Sequence, residues 1–141
     1  MGNFIYSIFG ALGYTHPFHP VLVHLVIGPV IAAFLIALAG WIWNRDAFLR
    51  TARHLTVFAF ILWFFTVFMG ITDWQHFMGG APVPAITAKL ILAGVLFLLL
   101  LATILVNRRL PVSSRIPIIF YTLSTLTVAG LGYFGGQLVY G

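Results

Sequence analysis

Residues Thr15 to Gly28 read THPFHPVLVHLVIG, which places three of the five histidines and two prolines at the start of a long apolar run. Pro20 suits the first turn of a helix, where its missing N–H would have had no intrahelical partner, and Thr15 or His19 stands where a cap belongs. His16 and His19 are therefore expected just before a helix, and His24 inside it. Pro29 falls within the same run, where it removes the hydrogen bond to the Leu25 carbonyl and predicts a kink about one turn beyond His24. From Val21 to Trp43 the run contains no charged residue. That length belongs to a helix crossing a membrane, and it decides the fold class.

Three further apolar runs lie downstream, Leu55 to Thr72, Val83 to Val106 and Ile116 to Tyr140, each near the roughly 20 residues needed to cross the hydrocarbon core. The composition agrees: the 141 residues are 62% hydrophobic and 6% charged, whereas about a quarter of a soluble domain is charged. The connecting segments NRDAFLRTARH, DWQHFMGGAPVP and NRRLPVSSRIP are short and rich in turn residues. Short connections make antiparallel neighbours, and in lipid each backbone polar group is satisfied within its own helix. The expected architecture is an all-α integral membrane protein, a single up-down four-helix bundle over residues 1–141 embedded in the lipid bilayer.

The formal charge of +5 sits on arginines in loops rather than in a basic patch, so no nucleic-acid partner is expected. Arg45, Arg50 and Arg53 flank the first loop and Arg108, Arg109 and Arg115 the third, leaving Lys89 alone toward the other end. By the positive-inside rule this predicts the arginines on the cytoplasmic side of a bacterial inner membrane, with both termini and the histidine-rich loops on the outer, periplasmic side. His54, next to Arg53, is expected to make a loop or headgroup contact. The absence of cysteine excludes disulfides, thiolate metal sites, iron–sulfur ligation and covalent haem attachment.

The first residues, MGNFIYSIFGALGY, have neither a positive n-region nor a small-residue cleavage site, so they are expected to be retained. Phe4, Ile5, Ile8, Phe9 and Leu12 share one helical face, which predicts a short interfacial helix, or else an apolar tail clamped by a partner. In the fourth run, Gly130, Gly132, Gly135 and Gly136 crowd the outer end, and Thr122, Ser124, Thr125 and Thr127 occupy the middle. Gly132 and Gly136 form a GxxxG pair that either packs helices closely or clears room for a flat cofactor. The hydroxyls have their own i−4 carbonyls within reach. Trp41, Trp43, Trp74, Tyr14 and Tyr140 fall near the ends of runs, as interfacial aromatic residues do.

If the second helix continues through Trp74, Asp73 and His76 lie at i, i+3 on one face, and antiparallel packing returns them to the level of His24. His16, His19, His24, His76 and Asp73 would then gather at the outer end, where ionisable groups are functional candidates by default. Three uses fit. A b-type haem needs imidazoles at matching depth inside an apolar pocket, with His24 as the best-placed ligand, His76, His19 or His16 as its partner and Asp73 orienting a ring. The HxxH of His16 and His19, with His24 and either Asp73 or His76, also suits a Zn or Cu ion at the periplasmic surface. The third use is structural: the histidines bond to Asp73, fix the outer loops or dock a neighbouring subunit.

These residues resemble those of a family of small predicted bacterial membrane proteins of unknown function. Its signature is HPxHPxLVH, here His16 to His24, then GxxDW, here Gly70 to Trp74, and GGxLVY, here Gly135 to Tyr140. The resemblance implies a four-helix membrane domain, sometimes found beside redox modules. It also implies a histidine near the start of the third membrane helix, where this chain has Thr87 and Lys89. Lys89 beside Asp73 would make an ion pair where relatives hold an imidazole. No nucleophile with a base, no paired carboxylates and no phosphate loop is present, so no independent catalysis is expected. The sequence therefore points to a small accessory subunit of a redox or energy-transducing membrane complex, joined to other membrane subunits. It either holds b haem at the outer histidines or uses them as a packing latch.

Overall fold

The computed structural model describes the backbone of residues 2–13 and 15–140 and the side chains of residues 4–13 and 15–137. Five helices follow one another: α1 (Gly2–Ala11), α2 (His19–Ile42), α3 (Asp46–Met78), α4 (Pro84–Arg109) and α5 (Ile118–Tyr140). The last four are long and apolar enough to cross a membrane. α2 packs on α3 and α5, and α4 on α3 and α5, so the four close into an up-down ring, while α1 packs on α3.

Helix ends are set by local chemistry more than by hydropathy. α3 has 33 residues, about 50 Å of helix against about 30 Å of hydrocarbon, so it projects beyond the apolar layer. Its polar last turns, Asp73 to Met78, remain helical until Gly79 and Gly80, whose φ angles of 59° and 73° turn the chain out. Trp74 then donates its Nε1–H to the Ala81 carbonyl at 2.9 Å, which fixes the turn into α4. α2 runs through Pro29 as one continuous helix.

A close helix approach lies between α2 and α3, and not at the GxxxG pair of α5. Ala33 and Ala37 of α2 and Ala52 and Ala59 of α3 are fully buried. At Gly40 an added Cβ would stand 2.7 Å from Leu49 Cδ2 and 3.1 Å from Phe48 Cβ. Gly132 and Gly136 have open space where a Cβ would go. Small residues bring membrane helices together, and here they do so at the α2–α3 seam. Gly40→Ala is accordingly expected to destabilise the protein by about 1–3 kcal/mol, the usual range for overpacking. Thermal unfolding in detergent reads the change, and an unchanged midpoint would refute the close approach.

Inside the ring, Val26, Val30, Ala59, Leu96, Leu100 and Val128 form an apolar plug. Toward the arginine end a polar lock follows. Trp41 donates to the Ser114 carbonyl at 3.0 Å, Arg53 to the carbonyls of Leu110 and Pro111, and Asn107 to the Tyr121 hydroxyl at 3.1 Å. Trp41, placed by sequence in an interfacial belt, is thus buried and holds the loop between α4 and α5. Trp43 is 64% exposed. Tyr14 and the side chain of Tyr140 lie outside the described residues. On α5, Thr122, Thr125 and Thr127 bond back to their i−4 carbonyls.

Candidate functional site: the histidine end of the bundle

The site begins with a problem of helix chemistry. The first amides of any helix lack intrahelical acceptors, and α2 starts at His19 with Pro20 next, after an N-cap, Phe18, that has no capping side chain. Sequence reasoning looked for the cap at Thr15 or His19, but it comes from another helix. Asp73 of α3 accepts the His19 N–H on Oδ2 at 2.9 Å. Pro20 has no N–H to satisfy, and the Val21 N–H returns to the Phe18 carbonyl at 3.2 Å. A carboxylate at the amino end of a 24-residue helix also complements its dipole.

The other carboxylate oxygen, Oδ1, accepts the hydroxyl of Tyr6 from α1. That hydroxyl in turn accepts the Phe18 N–H at 3.1 Å. Tyr6 is only 6% exposed, while Phe4, Ile8 and Leu12 face outward at one-turn spacing. α1 is therefore amphipathic in a specific sense: Phe4, Ile8 and Leu12 are turned to the surroundings, while Tyr6 is turned inward and Phe9 packs on Phe18 at 5.6 Å. His76 stacks on the Tyr6 ring at 4.4 Å with 14° between planes, and Phe77 meets it edge-on at 4.9 Å.

His19 completes the arrangement. Its Nδ1 lies 2.9 Å from the Thr66 carbonyl oxygen. A carbonyl only accepts, so Nδ1 carries the proton and a neutral ring keeps its lone pair on Nε2. The ring lies against Gly70, where an added Cβ would stand 2.8 Å from both Cε1 and Nδ1. Thr66 donates its hydroxyl to the Leu22 carbonyl at 3.2 Å, tying the same turns of α2 and α3 once more. From α4, Lys89 reaches toward α5, where its Nζ would stand 3.9 Å from a Cβ at Gly135. All four membrane helices and α1 thus meet at this end.

The chain matches, over residues 15–141, the family described as "Predicted membrane protein (DUF2231)", a membrane domain of unknown function. It belongs to that family. No curated protein and no solved structure matches it. In this family member the structure brings together only part of the residues singled out by sequence. His19 and Asp73 are in direct contact and His76 joins them through Tyr6. His16 is exposed in the segment before α2, and His24 is exposed on the face of α2 turned away from Val26 and Val30. Thr87 is exposed on α4. Among the described residues no group of three or more His, Asp or Glu side chains is placed to hold a metal ion. Tyr6, Thr66 and the space at Gly70 escaped sequence reasoning. The signal for Tyr6 was there, as the hydroxyl-bearing residue opposite the apolar face of α1.

Proposed function

We propose that this membrane protein is an architectural subunit of a larger assembly in the bacterial cytoplasmic membrane, with its arginine end toward the cytoplasm. On this reading the outer-mouth cluster is a packing latch. The observation that carries the reading is the closure of the cluster on itself: both Asp73 oxygens and His19 Nδ1 are engaged by Tyr6, the His19 amide and Thr66. Such fully satisfied polar networks specify one packing arrangement. The apolar plug in mid-bundle supports it too, because its residues include no ionisable side chain and ion and proton pathways through a membrane use such groups. Large side chains such as Leu35, Phe64, Phe65, Leu98 and Leu126 face outward along the bundle and offer a broad wall to lipid or to neighbouring subunits.

The test is the size of the particle extracted from native membranes in a mild detergent. The architectural reading expects a complex well beyond the 15.6 kDa chain, and migration as a lone chain in its micelle would sink it.

A second reading, a b-haem electron carrier, is favoured by one feature. An imidazole whose Nδ1–H is held by a backbone carbonyl presents Nε2 as haem and metal ligands do. Under that reading His19 is the ligand and His24, His76 and His16 compete for the second position. A dithionite-reduced minus air-oxidised spectrum separates the two. The architectural reading expects no b-type bands, and stoichiometric bands that vanish in His19→Ala would replace it with the haem reading.

A further inference from the structure

At the arginine end, the corner between α2 and α3 carries a feature that the histidine end does not explain. The turn is short and fixed: the Trp43 N–H bonds to the Ala39 carbonyl at 3.0 Å and the Arg45 N–H to the Gly40 carbonyl at 2.9 Å, with Asn44 at a φ of 50° between them. Around it lies an open hollow of about 610 Å³ lined by Trp43, Arg45, Ala47 and Phe48. That volume falls within the range of small-molecule sites, roughly 300–1,000 Å³. The Trp43 and Phe48 rings meet edge to face, 6.1 Å apart, and form one wall. Ile42, the residue before Trp43, is 65% exposed as well.

We propose that this hollow binds the headgroup phosphodiester of an anionic phospholipid, with Arg45 holding the phosphate and Trp43 and Phe48 packing against the glycerol and upper acyl chain. Charge complementarity selects that occupant. This end gathers Arg45, Arg50, Arg53, Arg108, Arg109 and Arg115 against one carboxylate, Asp46. Arg53 is engaged by the Leu110 and Pro111 carbonyls, whereas Arg45 is exposed at the hollow itself. A guanidinium offers two parallel donors matched to a phosphate, and indole rings settle at the glycerol level of a bilayer. Basic pockets beside membrane helices recognise anionic headgroups on these terms. A free phosphate would satisfy Arg45 but would leave the aromatic wall uncovered.

The experiment titrates the full chain in a non-ionic detergent with phosphatidylglycerol or with phosphatidylcholine of the same acyl chains, counting bound lipid by native mass spectrometry. Phosphatidylglycerol is expected to bind at least about ten-fold more tightly, and Arg45→Gln to remove most of that preference, about ten-fold, as for a lost charge-assisted hydrogen bond. Trp43→Ala is expected to weaken both lipids. Arg109→Gln, outside the hollow, is expected to cost about five-fold or less, the share of one charge in the general field. Equal binding of the two lipids overturns the proposal, and so does an equal loss in Arg45→Gln and Arg109→Gln. Displacement of phosphatidylglycerol by inorganic phosphate, but not by chloride at the same ionic strength, overturns the lipid as occupant in favour of a free-phosphate site. Far-ultraviolet circular dichroism verifies that each variant is folded, and Arg45→Lys, which keeps the charge without the fork, is expected to fall between wild type and Arg45→Gln.

Discussion

Asp73→Ala is expected to destabilise the protein by roughly 2–6 kcal/mol, because it leaves two polar groups without an acceptor in a buried site, each costing about 1–3 kcal/mol. One is the His19 N–H at the start of α2 and the other is the Tyr6 hydroxyl. Asp73 is 9% exposed, so water has little room to replace the carboxylate. The two losses have different consequences. Without its acceptor the first turn of α2 is expected to fray, since Phe18 at the N-cap offers no side-chain acceptor in its place. Without the Tyr6 bond α1 loses its main polar attachment, and a ten-residue helix is marginal in isolation. Hydrogen exchange should therefore rise over Gly2–Ala11 and over the first turn of α2 while the protection of α4 and α5 is retained. Tyr6→Phe separates the contributions: it keeps the stack on His76 and removes the two bonds of the hydroxyl, to Asp73 and from the Phe18 N–H, with an expected cost of about 1–3 kcal/mol at about 0.5–1.5 kcal/mol each and faster exchange confined to α1 and the segment before α2. Uniform acceleration over all five helices in Asp73→Ala would show that the carboxylate stabilises the bundle globally rather than as a latch at its mouth.

What sequence made legible here follows from the range of each interaction. The four membrane helices were readable because hydrophobic length is a property of contiguous residues. The ends of α3 were not, because hydropathy stops at Leu55 and Thr72 while the backbone continues from Asp46 to Gly79, governed by a left-handed glycine that carries no hydropathy signal. Asp73 and His19 were both picked out as ionisable groups near one end. Their bond spans 54 positions, and nothing local states that a carboxylate on α3 caps α2. His24 illustrates the opposite limit. It shares a motif with His19, but five residues along a helix turn a side chain by about 140°, so the two lie on different faces and only His19 reaches α3. The glycines of α5 drew attention by their number, whereas the close approaches are marked by Gly40, a single glycine in an apolar run, and Gly70, which the GxxDW motif contains without stating what it packs against.

Gly70→Ala offers the sharpest test of that placement, because two opposed effects fix its sign. In an open helix interior the substitution is favourable by up to about 1 kcal/mol, since alanine is the better helix former. At Gly70 the new Cβ would stand 2.8 Å from His19 Cε1 and Nδ1, and the ring is held on both sides by the Thr66 carbonyl and by the bond from its own amide to Asp73. Retreat of the ring forfeits the Nδ1 hydrogen bond, about 0.5–1.5 kcal/mol, on top of roughly 1–3 kcal/mol for overpacking. The clash outweighs propensity, and a net loss of about 1–3 kcal/mol is expected. In a His19→Ala background the ring is gone, and the same substitution should become neutral or stabilising, leaving an interaction energy of the size that double-mutant cycles find for residues in contact. Gly132→Ala, where a Cβ meets open space, is the control expected to show the propensity gain alone. A Gly70→Ala cost that persists unchanged after His19 is removed would mean that the glycine serves something other than the histidine, and the contact between His19 and α3 would lose its floor.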